Sequence, residues 1–490
     1  MKLTTKVLAS ALLASSLIPV AHAAPTDTLI RWHGIMQQAN ADDHTPGVGV
    51  FEQGGPVRNS RAFAMTQIAV YDAVNGFALG FNPYNDIGAA PAGASMDAAI
   101  VCAAHGVLVN VYSTFAATFD AARAADLGAI GGSAEAVEEG CDYGASSAEA
   151  MLTRRAGDGS ELPDPAPGAG GRVATGTTNW FGEPVNGPQS DPAQPRVTYR
   201  WSPDPIAQQG VALGANWGAV TPFILNSGNQ FRIPAPPLSG RTYVEMWNQV
   251  AQIGQTPNVP SSIPSTSTAA ARFIGNFWGY DGQALVGTPP RLYSQIALQV
   301  ALEQGLTDTA ELARYLALIH VGMADSGIAA WDSKYFYNYW RPATAIRLDD
   351  GVANTPSDPN WTAVGISLVN SLGAPAHVTP PFPAYPSGHA TFGASTVATM
   401  QAFFGNNTPT TFVSDEYNGV ATDPFTPGVP RPLVPVRFRT LNNQTSENGI
   451  SRIFNGVHWV VDNTTGQRLG RNVSGWLLNN VEAFQPRDLE

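Results

Sequence analysis

The sequence predicts an all-α protein threaded by long loops rich in proline and glycine. Apolar residues recur at helical spacing in many segments, and alternating strand patterns are rare. The 490 residues include 49 Gly and 39 Pro beside 44% apolar residues. A chain this apolar is not disordered, so its breakers mark ordered connections.

Residues 1–23 open with Lys2 and Lys6, run apolar from Val7 to Val20 and close on Ala21-His22-Ala23. They read as a secretory signal peptide cleaved before Ala24, too short to span a membrane. About 467 residues then remain, enough for a large core or two fused helical layers. The expected location is outside the cytoplasm, periplasmic or secreted. In such an oxidising compartment Cys102 and Cys141 are a candidate disulfide.

Residues 24–240 form the expected N-terminal helical region. Its clearest helical spacing lies in 61–74 and again in 97–126. From 156 to 240 Pro and Gly recur, giving a long connection. Its Trp180, Phe181, Trp201, Trp217, Phe223 and Phe231 predict a loop packed on the core. Residues 241–490 form the expected C-terminal bundle, with helices over 241–253, 266–278 and 292–304. Asp308 followed by Glu311 is a capping-box pattern. It opens a long amphipathic helix through Leu312, Tyr315, Leu316, Ile319 and Met323. A turn-rich insert over 405–437 precedes helices at 441–457 and 464–482.

The formal charge of −12 becomes two units more negative once Lys2 and Lys6 are removed. That excludes a nucleic-acid partner, which needs clustered Lys and Arg. No later run reaches about 18 uninterrupted apolar residues, so no membrane span is expected. Any anion site must be a local basic pocket. Beyond the N-terminal segment the chain keeps one lysine, Lys334, while arginine carries the rest of its positive charge. An ammonium is a compact point charge that arginine does not replace.

Three segments carry the chemistry. They are Lys334 through Arg341-Pro342; Pro386-Ser387-Gly388-His389; and Ser451-Arg452 followed by His458 and Asp462. Lys334, Arg341 and Arg452 supply cations, and arginine forks match tetrahedral oxyanions. Ser387 adds a hydroxyl, and Gly388 lets a backbone N–H approach closely. The apolar run after His389 predicts a helix whose N-terminus points positive charge at an anion. Two histidines can ligate and shuttle protons. The set is a cradle for a tetrahedral or trigonal-bipyramidal oxyanion.

With its internal spacing, this pattern resembles the signature shared by type 2 phosphatidic-acid-phosphatase-like acid phosphatases and vanadium-dependent haloperoxidases. The resemblance implies an all-helical architecture of two fused bundles. It extends upstream to Trp278-Gly279-Tyr280-Asp281-Gly282 and to Pro381-Phe382-Pro383-Ala384-Tyr385. In the haloperoxidase branch it implies vanadate as cofactor, bonded through His458. Lys334, Arg341, Ser387, Gly388 and Arg452 would hold its oxygens, and His389 would move protons on hydrogen peroxide. Lys334 would polarise the peroxide, and halide would leave as hypohalous acid. Asp281 would pair with Arg452. Asp462 would accept from the other nitrogen of His458 or orient its helix. Trp331 and Phe382 would line the halide pocket, with Phe382 pointing to chloride or bromide. Hydrogen peroxide and halide are the implied partners; an organic substrate and an oligomer stay open.

In the phosphatase branch His458 would attack phosphorus and His389 would protonate the leaving oxygen. A third reading is a non-catalytic exported anion-binding protein. Chain length, the spacing from His389 to Ser451, and Trp331 with Phe382 favour the haloperoxidase. His33, His44, His105, His320 and His377 are expected to be structural, with His377 the one to watch. Asp325 and Asp332 are expected to face solvent or cap helices.

Overall fold

The computed structural model describes residues 24–165, 200–207, 211–236, 240–371, 376–424, 426 and 428–487. The targeting segment 1–23 lies outside them, as do Trp180 and Phe181. Among the described residues there are thirteen α-helices and one two-stranded sheet.

Helix α1 (Pro25–Asp43) and helix α2 (Pro56–Ala78) both start with proline in the first turn, where no N–H is required. Helix α3 (Met96–Val111) is capped by Ser95, whose hydroxyl accepts from Ala98 N. The helical pattern over 97–126 is divided. A single 3-10 turn, Ser113–Phe115, separates α3 from α4 (Ala116–Ala129). Glu52 accompanies the break: its carboxylate takes the Ser113 hydroxyl and the Thr114 N–H, the latter a donor that a continuing helix would have used.

Helix α5 (Ala134–Arg155) lies against α3. Gly140 and Gly144 allow this closeness: a Cβ on either would sit 2.2 or 2.1 Å from a backbone oxygen of Ser95 or Ala99. Cys102 of α3 and Cys141 of α5 form a disulfide across the contact. It closes a loop with a sequence separation of 39, worth about 4 kcal/mol on loop-closure entropy. Urea unfolding of reduced, alkylated protein should therefore show a loss of about 2–4 kcal/mol; an unchanged midpoint would contradict this.

The second half continues with α6 (Gly240–Ile253), α7 (Ala269–Phe277) and α8 (Pro289–Glu303). Helix α9 (Thr309–Tyr337) runs 29 residues through the centre of the molecule. Asp308 caps it by accepting from Glu311 N at 2.9 Å. Almost every residue from Leu312 to Tyr335 is buried, because α2, α8, α11 and α13 pack around it. After the short α10 (Pro342–Arg347) come α11 (Gly388–Phe404), α12 (Leu441–Phe454) and α13 (Val460–Asn480).

Asp325 and Asp332 of α9 do not face solvent or cap a helix: both are fully buried. Asp325 accepts from the N–H groups of Phe223, Ile224 and Leu225, and burial raises its pKa to about 6. Asp332 pairs with Arg232. These two carboxylates tie the described part of the 156–240 connection to the central helix. Trp201, Trp217 and Phe223 of that connection are buried and Phe231 is half-buried.

The insert over 405–437 is not all turn. It holds strands β1 (Thr410–Asn418) and β2 (Leu433–Phe438), paired antiparallel with Phe412 opposite Val436. The inward positions of β1 include Ser414 and Glu416, so its alternation of burial is not an alternation of hydrophobicity. The final helix begins earlier than expected, at Val460, because Asp462 accepts the N–H of Trp459 at its start. One apolar core runs from Leu29 to Phe484 through both halves of the chain. A second cluster gathers Tyr243, Trp247, Trp340, Trp361 and Trp459. No helix among the described residues is long and apolar enough to cross a membrane.

Candidate oxyanion site

Four helix ends converge at the C-terminal end of α9. Lys334 lies in its last turn, and Arg341 stands at the start of α10. Ser387, Gly388 and His389 form the cap and first turn of α11. Arg452 ends α12, and His458 occupies the connection to α13. Gly466 and Gly470 bring α13 onto α11: a Cβ there would lie 2.7 Å from Ser387 O or 2.2 Å from Thr391 O. All of these site side chains are buried.

The donors are only partly committed. Arg341 donates from Nε to Phe382 O at 2.9 Å and from Nη1 to Val457 O at 2.7 Å. Its Nη2 is buried without an acceptor. Arg452 pairs with Asp281, Nη2 to Oδ1 at 2.8 Å, yet its Nε is also buried and unpartnered. Lys334 Nζ donates to the carbonyls of Pro383 and Ala384 at 2.8 and 3.0 Å. An ammonium has three donors, so one is left. The Ser387 oxygen accepts from Ala390 N, which leaves its proton free to donate. Gly388 N–H, at the first position of α11, has no acceptor within the helix.

His458 is held in one orientation. Its Nδ1 lies 2.9 Å from Asp462 Oδ2, and its Nε2 lies 3.3 Å from Arg341 Nη1. The guanidinium can only donate, so Nε2 carries the lone pair and Nδ1 carries the proton. Burial and the neighbouring Arg341 and Lys334 charges push its pKa well below the ordinary imidazole value. His389 is neutral for the same reasons, burial first and then Arg452. Its Nε2 meets Gly279 O at 2.8 Å, so Nδ1 is its basic atom.

The electrostatics call for a guest. Three cations face two carboxylates, Asp281 and Asp462. Burial and Arg341 lower the Lys334 pKa well below its ordinary value, and burial lowers that of Arg341 to about 9. Burial raises Asp281, and raises Asp462 to about 7. Buried donors left without acceptors cost roughly 1–3 kcal/mol each. An oxyanion between Arg341, Arg452 and His458 removes that penalty. Phosphate at about a hundred times its dissociation constant should stabilise the protein by about 2.7 kcal/mol. Lys334→Met should lose most of that gain in a thermal-shift titration; an undiminished gain would remove Lys334 from the site.

Trp331 and Phe382 stand side by side, ring centroids 4.8 Å apart, and Lys334 Nζ lies 5.4 and 5.0 Å from them. Both rings border a cavity of about 440 Å³ that also reaches His389 and His458. His44 borders it too, although its Nδ1 is engaged by Asn40 O and its Nε2 accepts from Gly55 N. His33 and His320 share Ser294 inside the core. His377 is half-buried, with Nδ1 near Val364 O, and does not border the cavity.

The supporting residues were not visible in the motifs. Tyr293 OH and Asn448 Nδ2 both donate to His389 O, fixing the first turn of α11. Glu416 of β1 accepts from Tyr280 N, Ser367 Oγ and Arg431, while Ser367 N donates to Asp281. None of these side chains lies in the three motif segments or in Trp278–Gly282, so no local sequence signal names them.

Residues 314–485 match the VCPO second helical-bundle domain. Over 219 residues the chain is 37% identical to vanadium chloroperoxidase of Curvularia inaequalis, covering 38% of this chain and 35% of that protein. The match thus spans about a third of that relative's length. Among solved structures, the first bacterial vanadium-dependent iodoperoxidase superposes with a TM-score of 0.67 at 20% identity. The superposition covers 95% of this chain and 98% of that one. The holo-type bacterial vanadium-dependent chloroperoxidase gives 0.60 at 16% identity, covering 92% and 98%. The fold is that of the vanadium haloperoxidases, helical bundles over nearly the whole chain.

Proposed function

We propose that this protein is a vanadate-dependent haloperoxidase that oxidises halide with hydrogen peroxide to hypohalous acid. The observation that carries the reading is the set of uncommitted buried donors, Arg341 Nη2 and Arg452 Nε, beside the lone pair of His458 Nε2. Those groups fit vanadate. His458 Nε2 would bond its vanadium, while Lys334, Arg341, Ser387, Gly388 N–H and Arg452 would hold its oxygens. Bound vanadate supplies a Lewis-acidic centre that activates peroxide without changing its own oxidation state. The names of the relatives support this choice over other oxyanions.

The chain's own groups do the remaining work. Asp462 keeps the proton of His458 on Nδ1, so that Nε2 remains a ligand. His389, neutral at working pH, can take a proton from peroxide and return it. Lys334 brings positive charge where oxygen becomes electron-poor. Trp331 and Phe382 bound an apolar space next to that ammonium, suited to a halide.

Phosphate shares the shape of vanadate, so the test must separate a halogenating enzyme from a phosphatase. Metal-free protein is given orthovanadate, then bromide, peroxide and monochlorodimedone. Bromination that appears with about one vanadium per chain supports the reading. Hydrolysis of p-nitrophenyl phosphate that vanadate abolishes, with no bromination, replaces it with a phosphomonoesterase.

Export is part of the same reading, supported by the basic start, apolar stretch and Ala21-His22-Ala23 of residues 1–23. N-terminal sequencing of protein from the native host should begin at Ala24; a retained Lys2 and Lys6 would contradict it.

A further inference from the structure

Three consecutive residues in the connection between α7 and α8 reach the nest: Gly279, Tyr280 and Asp281. The Gly279 carbonyl accepts from His389 Nε2 at 2.8 Å. The Asp281 carboxylate accepts from Arg452 Nη2 at 2.8 Å and lies 3.8 Å from His389 Nε2. This segment sets the tautomer of one imidazole and the direction of one guanidinium. Its backbone is not one the chain adopts unaided. Tyr280 is fully buried and has a φ of 46°, in the left-handed region. A residue with a side chain holds that conformation at a cost on the order of 1–3 kcal/mol, so the surroundings must impose it.

The surroundings are strand β1. Glu416 accepts the Tyr280 N–H at 3.0 Å, and the Tyr280 hydroxyl accepts from Asp415 N at 2.8 Å. Two adjacent strand residues grip one tyrosine by its backbone and by its ring tip. The hydroxyl also donates to Gln295 Oε1 at 2.8 Å. Gly279 leaves room for the carboxylate: a Cβ there would stand 2.6 Å from Glu416 Oε1. The other oxygen of Glu416 accepts from Ser367 Oγ and, at 2.7 Å, from Arg431 Nη1. Ser367 closes the circle, because its N–H donates to Asp281 Oδ2 at 3.0 Å.

Glu416 and Arg431 are both buried. A buried ion pair is often no more stable than apolar side chains of the same volume. Stability alone therefore does not call for charge here. What a carboxylate does at this position, and an apolar side chain cannot, is accept from Tyr280 N and Ser367 Oγ together. None of the described residues of the β1–β2 hairpin borders the cavity, so the carboxylate acts on the nest only through the segment it holds.

We propose that Glu416 is a positioning residue for the reaction. Through Gly279–Asp281 it keeps His389 protonated on Nε2, with the lone pair on Nδ1, and keeps Arg452 fixed by Asp281. This rests on the haloperoxidase reading above, in which His389 moves protons on peroxide. Without the Gly279 carbonyl in place the imidazole takes either tautomer, and only part of the population has its basic atom where the base is needed.

Two double variants of the full-length chain test it. Glu416→Leu with Arg431→Leu removes both charges together, so no buried ion is stranded. Glu416→Gln with Arg431→Leu removes the same charges but keeps an oxygen for the Tyr280 N–H. After reconstitution with vanadate, kcat for bromination in the leucine pair should fall about 10–100-fold. Its KM for bromide should stay as in wild type, since Trp331 and Phe382 are carried by other elements. The glutamine pair should recover most of the rate. Equal kcat in the two variants, each measured well below its unfolding temperature, would make Glu416 an ion-pair partner only and overturn the proposal.

A second measurement needs no turnover. In vanadate-free protein labelled with nitrogen-15 histidine, ring-nitrogen shifts report the tautomer, and the His389 signals are those lost in His389→Ala. Wild type and the glutamine pair should show His389 protonated on Nε2, and the leucine pair a mixture. Gly279→Ala, which keeps the ion pair and presses a methyl on Glu416 Oε1, should give the same mixture by a second route. A wild-type His389 protonated on Nδ1, or wild-type signals in the leucine pair or in Gly279→Ala, overturns the role. Failure of bromination alone, with these spectra as expected, would count against the halide chemistry and not against the positioning.

Discussion

His458→Ala is expected to abolish vanadate retention and, with it, bromination. The side chain is buried, and its Nε2 is a lone pair set among the donors of the nest. Its removal also leaves the Asp462 carboxylate with only the Trp459 N–H. Loss of a residue that merely orients a ligand typically costs 10–100-fold in affinity, so loss of the ligand itself should cost at least about 100-fold. Vanadium content after desalting measures it. His389→Ala makes the contrast, because that ring touches the nest without holding its ligand position. It should retain vanadium while its bromination rate falls by roughly 10²–10⁴-fold. Equal vanadium retention by wild type and His458→Ala would contradict the roles given to the two imidazoles.

Arg452→Ala should be the most destabilising single change at the site. Arg452 is fully buried, and its partner Asp281 is nearly so. Breaking such a pair strands a desolvated carboxylate and costs about 3–5 kcal/mol. Asp281 would retain the Ser367 N–H and the more distant His389. Neither replaces a guanidinium. Chemical denaturation measures the loss, and adding Asp281→Asn should recover part of it, since the stranded charge is gone. A loss below about 1 kcal/mol in the single variant would mean that water reaches Asp281 and the pair is not desolvated as described.

Much of this was legible from the chain itself. Helical spacing located α2, α6, α7, α8 and α12, and Asp308 with Glu311 marked the start of the central helix. The three motif segments named the side chains that the fold gathers around one space: Lys334, Arg341, Ser387, Gly388, His389, Arg452 and His458. Asp281 and Asp462 stand where the resemblance placed them, against Arg452 and His458. What escaped has a common cause. The β1–β2 hairpin carries polar residues on its inner face, so hydrophobic patterning is silent there. Asp325 and Asp332 looked like surface carboxylates because local sequence does not show the distant amides and arginine that bury them. The cavity wall draws on the loop after α1, on α2, on the loop before α8, on α9 and on the loop before α11, and no local window contains that assembly.

The glycine pair on α13 has a bearing on how such a site can change. Gly466 and Gly470 face Ser387 O and Thr391 O with room for a hydrogen and nothing more. One added methyl at position 470 acts as a spacer, easing the last helix off its neighbour and widening the gap between the two imidazole-bearing segments. The aperture for the guest is thus gauged by two missing side chains, one of them twelve positions beyond His458. A sequence could retune which anion it grips without altering a single group that touches it.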